Sequence, residues 1–282
     1  MDLSSNDKAV LHVPDGVAAN VALARCNYLG IGAHQDDLEI MAIEGILECF
    51  GSPDRWFGGV IVNNGASAPR TGRFSNYTNE QMAAARIEEQ NRAADIGKYS
   101  IQVQLGYSND ETKDPADLRP MRDILEIIRA TRPGVIYTHN LLDKHYAHVA
   151  VTIQVIQAIR QLDSADRPTR LVGCEVWRDL DWLVGDDKVV MDTTCLPELQ
   201  RELLEVFESQ LEGKRYDRAA MGRRIAHATY LDPHENDKVE GAVFGMDLTP
   251  LITDDSLNLR EYALGYVERL NTAVADQLDE LL

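Results

Sequence analysis

From residue 28 to residue 161 the chain alternates four times between a short apolar run and a longer segment with apolar residues at helical spacing. The runs are 28–33, 59–62, 101–106 and 134–139, and the helical segments are 38–50, 79–96, 115–131 and 146–161. An alternation of this kind, closed by right-handed crossovers, gives a mostly parallel sheet with helices on both faces. The sequence therefore predicts an α/β fold of the Rossmann-like, doubly wound type. Local signals agree. Thr78 and Gln81 form a capping-box start for the second helix and Gly97 a stop. The third helix is expected to open at Asp114-Pro115 and to end before Pro133-Gly134. With 282 residues, 44% of them hydrophobic, the chain has ample material for a core.

Beyond residue 165 the pattern weakens. Segments 171–177, 189–192 and 243–248 read as strands, and 196–211, 216–230 and 257–282 as helices. Residues 1–22 are polar and mixed and are expected to form a loosely held arm, which leaves 23–282 as a single α/β domain. The connection 63–77 is long and rich in Gly, Ser, Asn and Pro. A functional loop and a surface excursion both fit it.

The formal net charge is −18 and the pI near 4.7. Such a surface repels phosphate backbones and anionic membranes, so no nucleic acid is expected as a partner. No run reaches the roughly 18 apolar residues of a membrane span, and no signal-peptide pattern opens the sequence. Cys26, Cys49, Cys174 and Cys195 form no C-x-x-C pair and read as buried free thiols of a reducing compartment. A cytoplasmic protein is expected. A homo-oligomer is compatible with the sequence.

In a doubly wound sheet, ligands bind beyond the carboxyl ends of the strands where the strand order reverses. With the expected order 3-2-1-4-5, the first and fourth runs are neighbours at that point. His34, Asp36 and Asp37 follow the first; Thr138 to His148, "THNLLDKHYAH", follows the fourth. His34 and Asp37 are three apart, as are His145 and His148, so each pair faces one way on a helical turn. Imidazoles with a carboxylate suit a catalytic divalent-metal site with an open position for water. Of the two adjacent acids, one is free to be a ligand and the other a base. Taken singly, an Asp-Asp pair after a strand also reads as a helix N-cap. His139 is expected to bond to backbone at a strand end, and His12, His227 and His234 to be ordinary surface or core residues. The glycines of "LGIGAH" do not complete a dinucleotide fingerprint, because Gln35 stands where the third glycine belongs and two carboxylates follow it.

At these residues the sequence resembles the PIG-L/LmbE-like family of zinc-dependent N-deacetylases. The family's A-H-P-D-D is present as Ala33-His34-Gln35-Asp36-Asp37 and its H-P-D-H as His145-Tyr146-Ala147-His148. Arg86, Glu89 and Gly97 resemble its R-x-x-E…G helix, and "LGYSND" its L-G-Y-x-D turn. The resemblance covers roughly residues 28–160. It implies that His34, Asp37 and His148 bind Zn2+, or another divalent transition metal, with Asp36 as general base. His145 would steady an oxyanion or protonate the leaving amine. Candidate substrate contacts are Arg86, Glu89, Asn109, Asp110 and Arg73. The implied reaction removes an N-acetyl group from an N-acetylglucosamine-type sugar or conjugate. Ala147 departs from the family's Asp, and Asp143 is the nearest replacement in sequence. Two other readings stand beside this one: a catalytically silent relative serving as a binding or scaffold protein, and an amidase acting on a non-sugar amide.

Overall fold

The computed structural model describes residues 6–282. Its strands are β1 (Val10–His12), β2 (Tyr28–Gly32), β3 (Phe57–Asn63), β4 (Ile101–Tyr107), β5 (Val135–His139), β6 (Arg170–Cys174), β7 (Lys188–Asp192) and β8 (Ala242–Asp247). Among the described residues they form one sheet in the order β1-β4-β3-β2-β5-β6-β8-β7. The central five, β4-β3-β2-β5-β6, run parallel. This is the expected α/β, doubly wound arrangement, and the expected neighbours at the switch point, β2 and β5, are paired there.

One margin differs from expectation, and the other carries strands that were expected at 189–192 and 243–248. Val10–His12 pairs antiparallel with β4, so this part of the expected arm is an edge strand; residues 1–5 lie outside the described residues. At the other margin β8 and β7 add two antiparallel strands.

The helices are α1 (Ala19–Arg25), α2 (Asp37–Met41), α3 (Ile43–Cys49), α4 (Asn79–Gly97), α5 (Asn109–Lys113), α6 (Arg119–Thr131), α7 (Tyr146–Arg160), α8 (Pro197–Glu205), α9 (Glu208–Leu211), α10 (Tyr216–Thr229), α11 (Pro250–Thr253) and α12 (Leu259–Leu281). One apolar layer unites α1, α6 and α7 with Leu29, Ile31, Val60 and Val62 of the sheet. The other unites α2, α3, α4 and α8 with Phe57 and Ile61. Residues of β3 alternate between the two layers, as a strand buried on both faces must.

Several boundaries move from their expected places. Segment 38–50 is two helices, broken at Ala42, because the α2 turn ends and the chain re-aims before α3. Helix α6 begins at Arg119 rather than at Asp114-Pro115; Pro120 sits in its first turn, and a separate short helix, α5, precedes it. The capping box at Thr78 is present, with Thr78 Oγ1 accepting from the Gln81 N–H (3.2 Å) and Gln81 Oε1 from the Thr78 N–H (2.9 Å). Cys26, Cys49 and Cys174 are buried free thiols, whereas Cys195 is exposed, beside Leu196 where the chain turns into α8. No helix among the described residues is long and apolar enough to cross a membrane.

Candidate active site

The first half of the site is the turn that leaves β2. A side chain at Gly32 would place its Cβ 3.1 Å from Asp37 Cβ and 3.3 Å from Leu38, so glycine lets the turn fold back over the strand end. His34 and Asp37 do face each other, but through this turn rather than along a helix. The His34 N–H donates to Asp37 Oδ2 (2.6 Å), and the Asp37 N–H to the His34 carbonyl (3.3 Å). Asp36 holds a left-handed backbone, with φ of 85°, which a non-glycine residue adopts only when its surroundings impose it. Asp36 occupies the N-cap position of α2, yet its side chain makes no capping bond. The carboxylate is left for something else.

What imposes this turn lies on α4 and in the core. Gln90 Oε1 accepts the Asp36 N–H (3.2 Å), and Gln90 Nε2 donates to Glu39 Oε1 (2.9 Å). Tyr99 Oη donates to the same Glu39 oxygen (2.7 Å). Arg86 Nη2 donates to the Gln35 carbonyl (2.5 Å) and lies 3.7 Å from Asp36 Oδ2. Gln35, in the place of the family's proline, turns inward and donates to the Asn63 carbonyl (3.3 Å) and Gln104 Oε1 (3.1 Å). Gly65, at φ +68°, lets the 63–77 connection pass 2.5 Å from Gln35 Oε1 and 2.8 Å from Arg86 at the point where a Cβ would stand. That connection is therefore a wall of the site: Gly65, Ser67, Ala68 and Pro69 line the cavity.

The second half follows β5. Asn140 ties the chain to the end of β6 through its N–H and Nδ2, both donating to the Cys174 carbonyl (3.0 Å each). Asp143 then organises the histidine loop. Its Oδ1 accepts from the His145 N–H (2.9 Å), and its Oδ2 from the Trp177 N–H (3.0 Å). Asp143 Oδ1 also lies 3.5 Å from His148 Nδ1. Burial alone would raise the Asp143 pKa, but the His148 ring and the His145 N–H outweigh it and bring the pKa to about 2. Ala147 is fully buried. Asp143, four residues earlier, addresses His148 rather than the His145 ring.

The two halves meet. His34 Nδ1 is 3.3 Å from His148 Nε2 and 3.5 Å from Asp37 Oδ2, and His148 Nε2 is 3.4 Å from Asp37 Oδ1. A tetrahedral ion with bonds of about 2.1 Å has donor–donor edges of about 3.4 Å. The donor set therefore fits a divalent cation. The rings of His34, His145 and His148 are close enough to share one ion, and so are Asp37, His139 and His148. His139 Nε2, however, already accepts the Ala33 N–H (2.9 Å), which uses its lone pair. His139 bonds to backbone, as its strand-end position suggests, and stacks on His148 at 3.8 Å between ring centres. With His139 so engaged, His34, Asp37, His145 and His148 are the donors left for a metal, the His145 ring 4.9 Å from that of His34.

The two adjacent acids are driven apart electrostatically. Burial would raise the Asp37 pKa, but the His148 and His139 rings hold it well below the usual carboxylate range. Burial pushes Asp36 well above that range; Arg86 opposes this, while Asp37, Glu39 and Glu89 add to it. The two neighbouring carboxyls thus differ in proton affinity, Asp37 favouring the ionised form and Asp36 the protonated one. Burial likewise lifts Glu39 to about 7, against the hydrogen bonds from Tyr99 and Gln90. Burial and the neighbouring His34 lower the pKa of His145.

A cavity of about 370 Å³ opens over this cluster. His34, Asp36, Asp37, Arg86, His145 and His148 line its inner end. The other residues expected to touch substrate are not in its lining. Both Glu89 oxygens are taken by Ser209, through its N–H (2.8 Å) and Oγ (2.6 Å). Arg73 is paired with Glu208 and Glu212 on the surface. Asn109 begins α5, and Asp110 is exposed and 3.4 Å from Lys113 Nζ. In their place, the outer wall is built by residues that sequence reasoning missed. Val176 and Trp177 come from the segment after β6, Lys214 and Tyr216 from the entry to α10, and Arg223 from α10 itself. The signal that could have found Val176 and Trp177 is the same switch-point rule, since β6 is the next parallel strand after β5.

Residues 29–159 match the family described as PIG-L, GlcNAc-PI de-N-acetylase. In that segment the chain is similar to the PIG-L family. The matched segment contains both histidine-bearing loops and ends at α7, so the outer wall of the cavity lies beyond it. No curated protein matches the sequence. Solved structures extend the likeness past the PIG-L segment. N,N'-diacetylchitobiose deacetylase from Pyrococcus horikoshii is 15% identical, with a TM-score of 0.62 over 80% of this chain and 85% of that one. A conserved protein from Thermus thermophilus is 16% identical, with a TM-score of 0.61 over 83% and 99%. The 4-carboxy-2-hydroxymuconate hydratase of Pseudomonas putida is 16% identical, with a TM-score of 0.61 over 79% and 96%. At such identities the likeness is one of fold, and a deacetylase and a hydratase share it.

Proposed function

We propose that this protein is a divalent-metal-dependent N-deacetylase, hydrolysing the amide of an N-acylated amine of the N-acetylglucosamine type or its conjugate. The observation that carries the reading is the approach of His34 Nδ1, Asp37 and His148 Nε2 to within 3.3–3.5 Å of one another, beside a second carboxyl at the cavity floor. Zinc is the metal the family implies, and the same nitrogen and oxygen donors accept other divalent ions. Such an ion supplies Lewis acidity and lowers the pKa of water. Asp36 takes the proton of the water that attacks the acyl carbon. Its raised proton affinity suits that role, and Arg86 keeps the carboxyl aimed into the cavity. His145, its ring 4.9 Å from that of His34 and 4.7 Å from that of His148, is placed to donate a hydrogen bond to the oxygen of the tetrahedral centre or to hand a proton to the departing amine. The carbon–nitrogen bond then breaks, giving acetate and a free amine. Asp143 orients His148, as an outer carboxylate does for a metal-binding imidazole. Residues 23–282 act as one unit in this reading, because both halves of the chain wall the cavity.

The test is elemental analysis of the purified protein with an assay for released primary amine, with and without a chelator. About one equivalent of metal is expected, lost in His148→Ala together with activity. Metal-free protein whose thermal stability is unaffected by added zinc would instead support a catalytically silent binding protein.

A further inference from the structure

The cavity's two ends have different chemistry. The inner end holds the acids and imidazoles. Part of the remaining wall is apolar. Glu89 is consumed by Ser209, and Gln210 Nε2 also donates to Ser209 Oγ (3.0 Å). Ile40, Val176, Ala219 and Ala220 present only apolar atoms to the cavity from their side chains. Sugar hydroxyls pressed against such a surface without partners would lose their hydration uncompensated.

What the outer end does present is an aromatic corner with cations. Trp177 and Tyr216 meet edge to face at 5.9 Å, and Lys214 Nζ stands 4.6 Å over the Trp177 ring. Arg223 Nη1 donates to the Val176 carbonyl (2.7 Å), and its Nε lies 3.6 Å from Asp179. Lys214 has no ion-pair partner among the described residues. Arg223 shares its charge with Asp179, so Lys214 is the lining cation left without an acid partner, and on a chain of net charge −18 such an ammonium draws anions to its own spot. The ring faces favour a flat apolar body.

We infer that the acylated amine belongs to a molecule that carries an anionic group on a flat apolar frame, and that Trp177, Tyr216, Lys214 and Arg223 form the subsite that selects it. The inference rests on the deacetylase reading and narrows its substrate. An aryl conjugate of an N-acetylated amino sugar and an N-acetylated aromatic amino acid share this chemistry.

Matched pairs test it on the metal-loaded protein. One pair is 4-carboxyphenyl and phenyl N-acetyl-β-glucosaminide; the other is N-acetyltryptophan and N-acetyltryptophanamide. In at least one pair the anionic member should have the higher kcat/KM, by roughly tenfold, the size of one partly screened charge contact. The pair that shows it identifies the frame. Lys214→Met should bring that ratio close to one, with the change mainly in KM. Ratios near one in both pairs, or a ratio that neither Lys214→Met nor Arg223→Gln alters, overturn the inference. If no member releases amine, the deacetylase reading fails, and calorimetry decides the subsite alone. Tryptophan and 4-carboxyphenyl glucosaminide should then bind more tightly than tryptophanamide and phenyl glucosaminide in the wild type, and not in Lys214→Met. Equal binding of acid and neutral partner ends the proposal.

Discussion

The two halves of the chain build the cavity by different means. Residues of β2, α4 and β5 fix the inner end through hydrogen bonds to backbone, such as Gln90 to the Asp36 N–H and Ala33 N–H to His139. The segment after β6, together with α10, fixes the outer end through charge. There buried Glu175 and His227 cluster with the partly exposed Asp179, His227 Nδ1 3.1 Å from Glu175 and Nε2 3.3 Å from Asp179. The cluster fastens α10 to the loop that bears Val176 and Trp177. The contrast separates two jobs: chemistry needs atoms held to a fraction of an ångström, whereas selection needs a surface of the right character.

The largest expected effect is at the inner end. Asp36→Ala should retain its metal and lose at least about a hundredfold in kcat. If elemental analysis finds the metal gone instead, the roles given to Asp36 and Asp37 are reversed. At the outer end the comparable effect is on stability. Burial alone would lower the His227 pKa, but its bonds to Asp179 and Glu175 lift it to about 9. A raised folded pKa stabilises the fold fully below the unfolded value near 6.5 and ceases to do so as pH passes through 9. Chemical denaturation from pH 6 to 10 should show a loss on the order of 2 to 3 kcal/mol, and His227→Gln should flatten that slope. A slope unchanged in His227→Gln would remove the charged clamp from the comparison.

Gln90→Leu sharpens the contrast further. It deprives the Asp36 N–H of its acceptor without touching the cavity, so kcat should fall by about tenfold while KM stays within about twofold. Restored kcat in Gln90→Glu would mark the acceptor oxygen as the relevant atom. The smallest effect is expected for Trp177→Ala, a rise of a few-fold in KM with kcat nearly intact. A Trp177→Ala variant that lost kcat as heavily as Asp36→Ala would erase the distinction between the two ends.

Much of the inner end was legible in the sequence because it depends on strand periodicity and on the rule that places loops at the switch point. The pairing of β2 with β5, and hence the meeting of His34 with His148, follows from those two alone. The mechanism of facing was not legible. The three-residue spacing of His34 and Asp37 works through a tight turn, which periodicity cannot distinguish from a helical one. Glu89 illustrates another limit: its partner Ser209 lies 120 residues away, so nothing local announces that its carboxylate is already satisfied. Asp143 could be singled out as a replacement for the missing acid at 147, but its choice of His148 depends on where the loop bends. The outer wall was hidden because Trp177, Lys214 and Tyr216 reach it from separate segments whose apolar spacing says only helix or strand.

The left-handed backbone at Asp36 has a consequence for how this protein can change. Glycine relaxes at such a φ, so Asp36→Gly should raise the melting temperature, by the equivalent of about 1 kcal/mol, while abolishing turnover. Durability and turnover then make opposite demands on the residue at this one position.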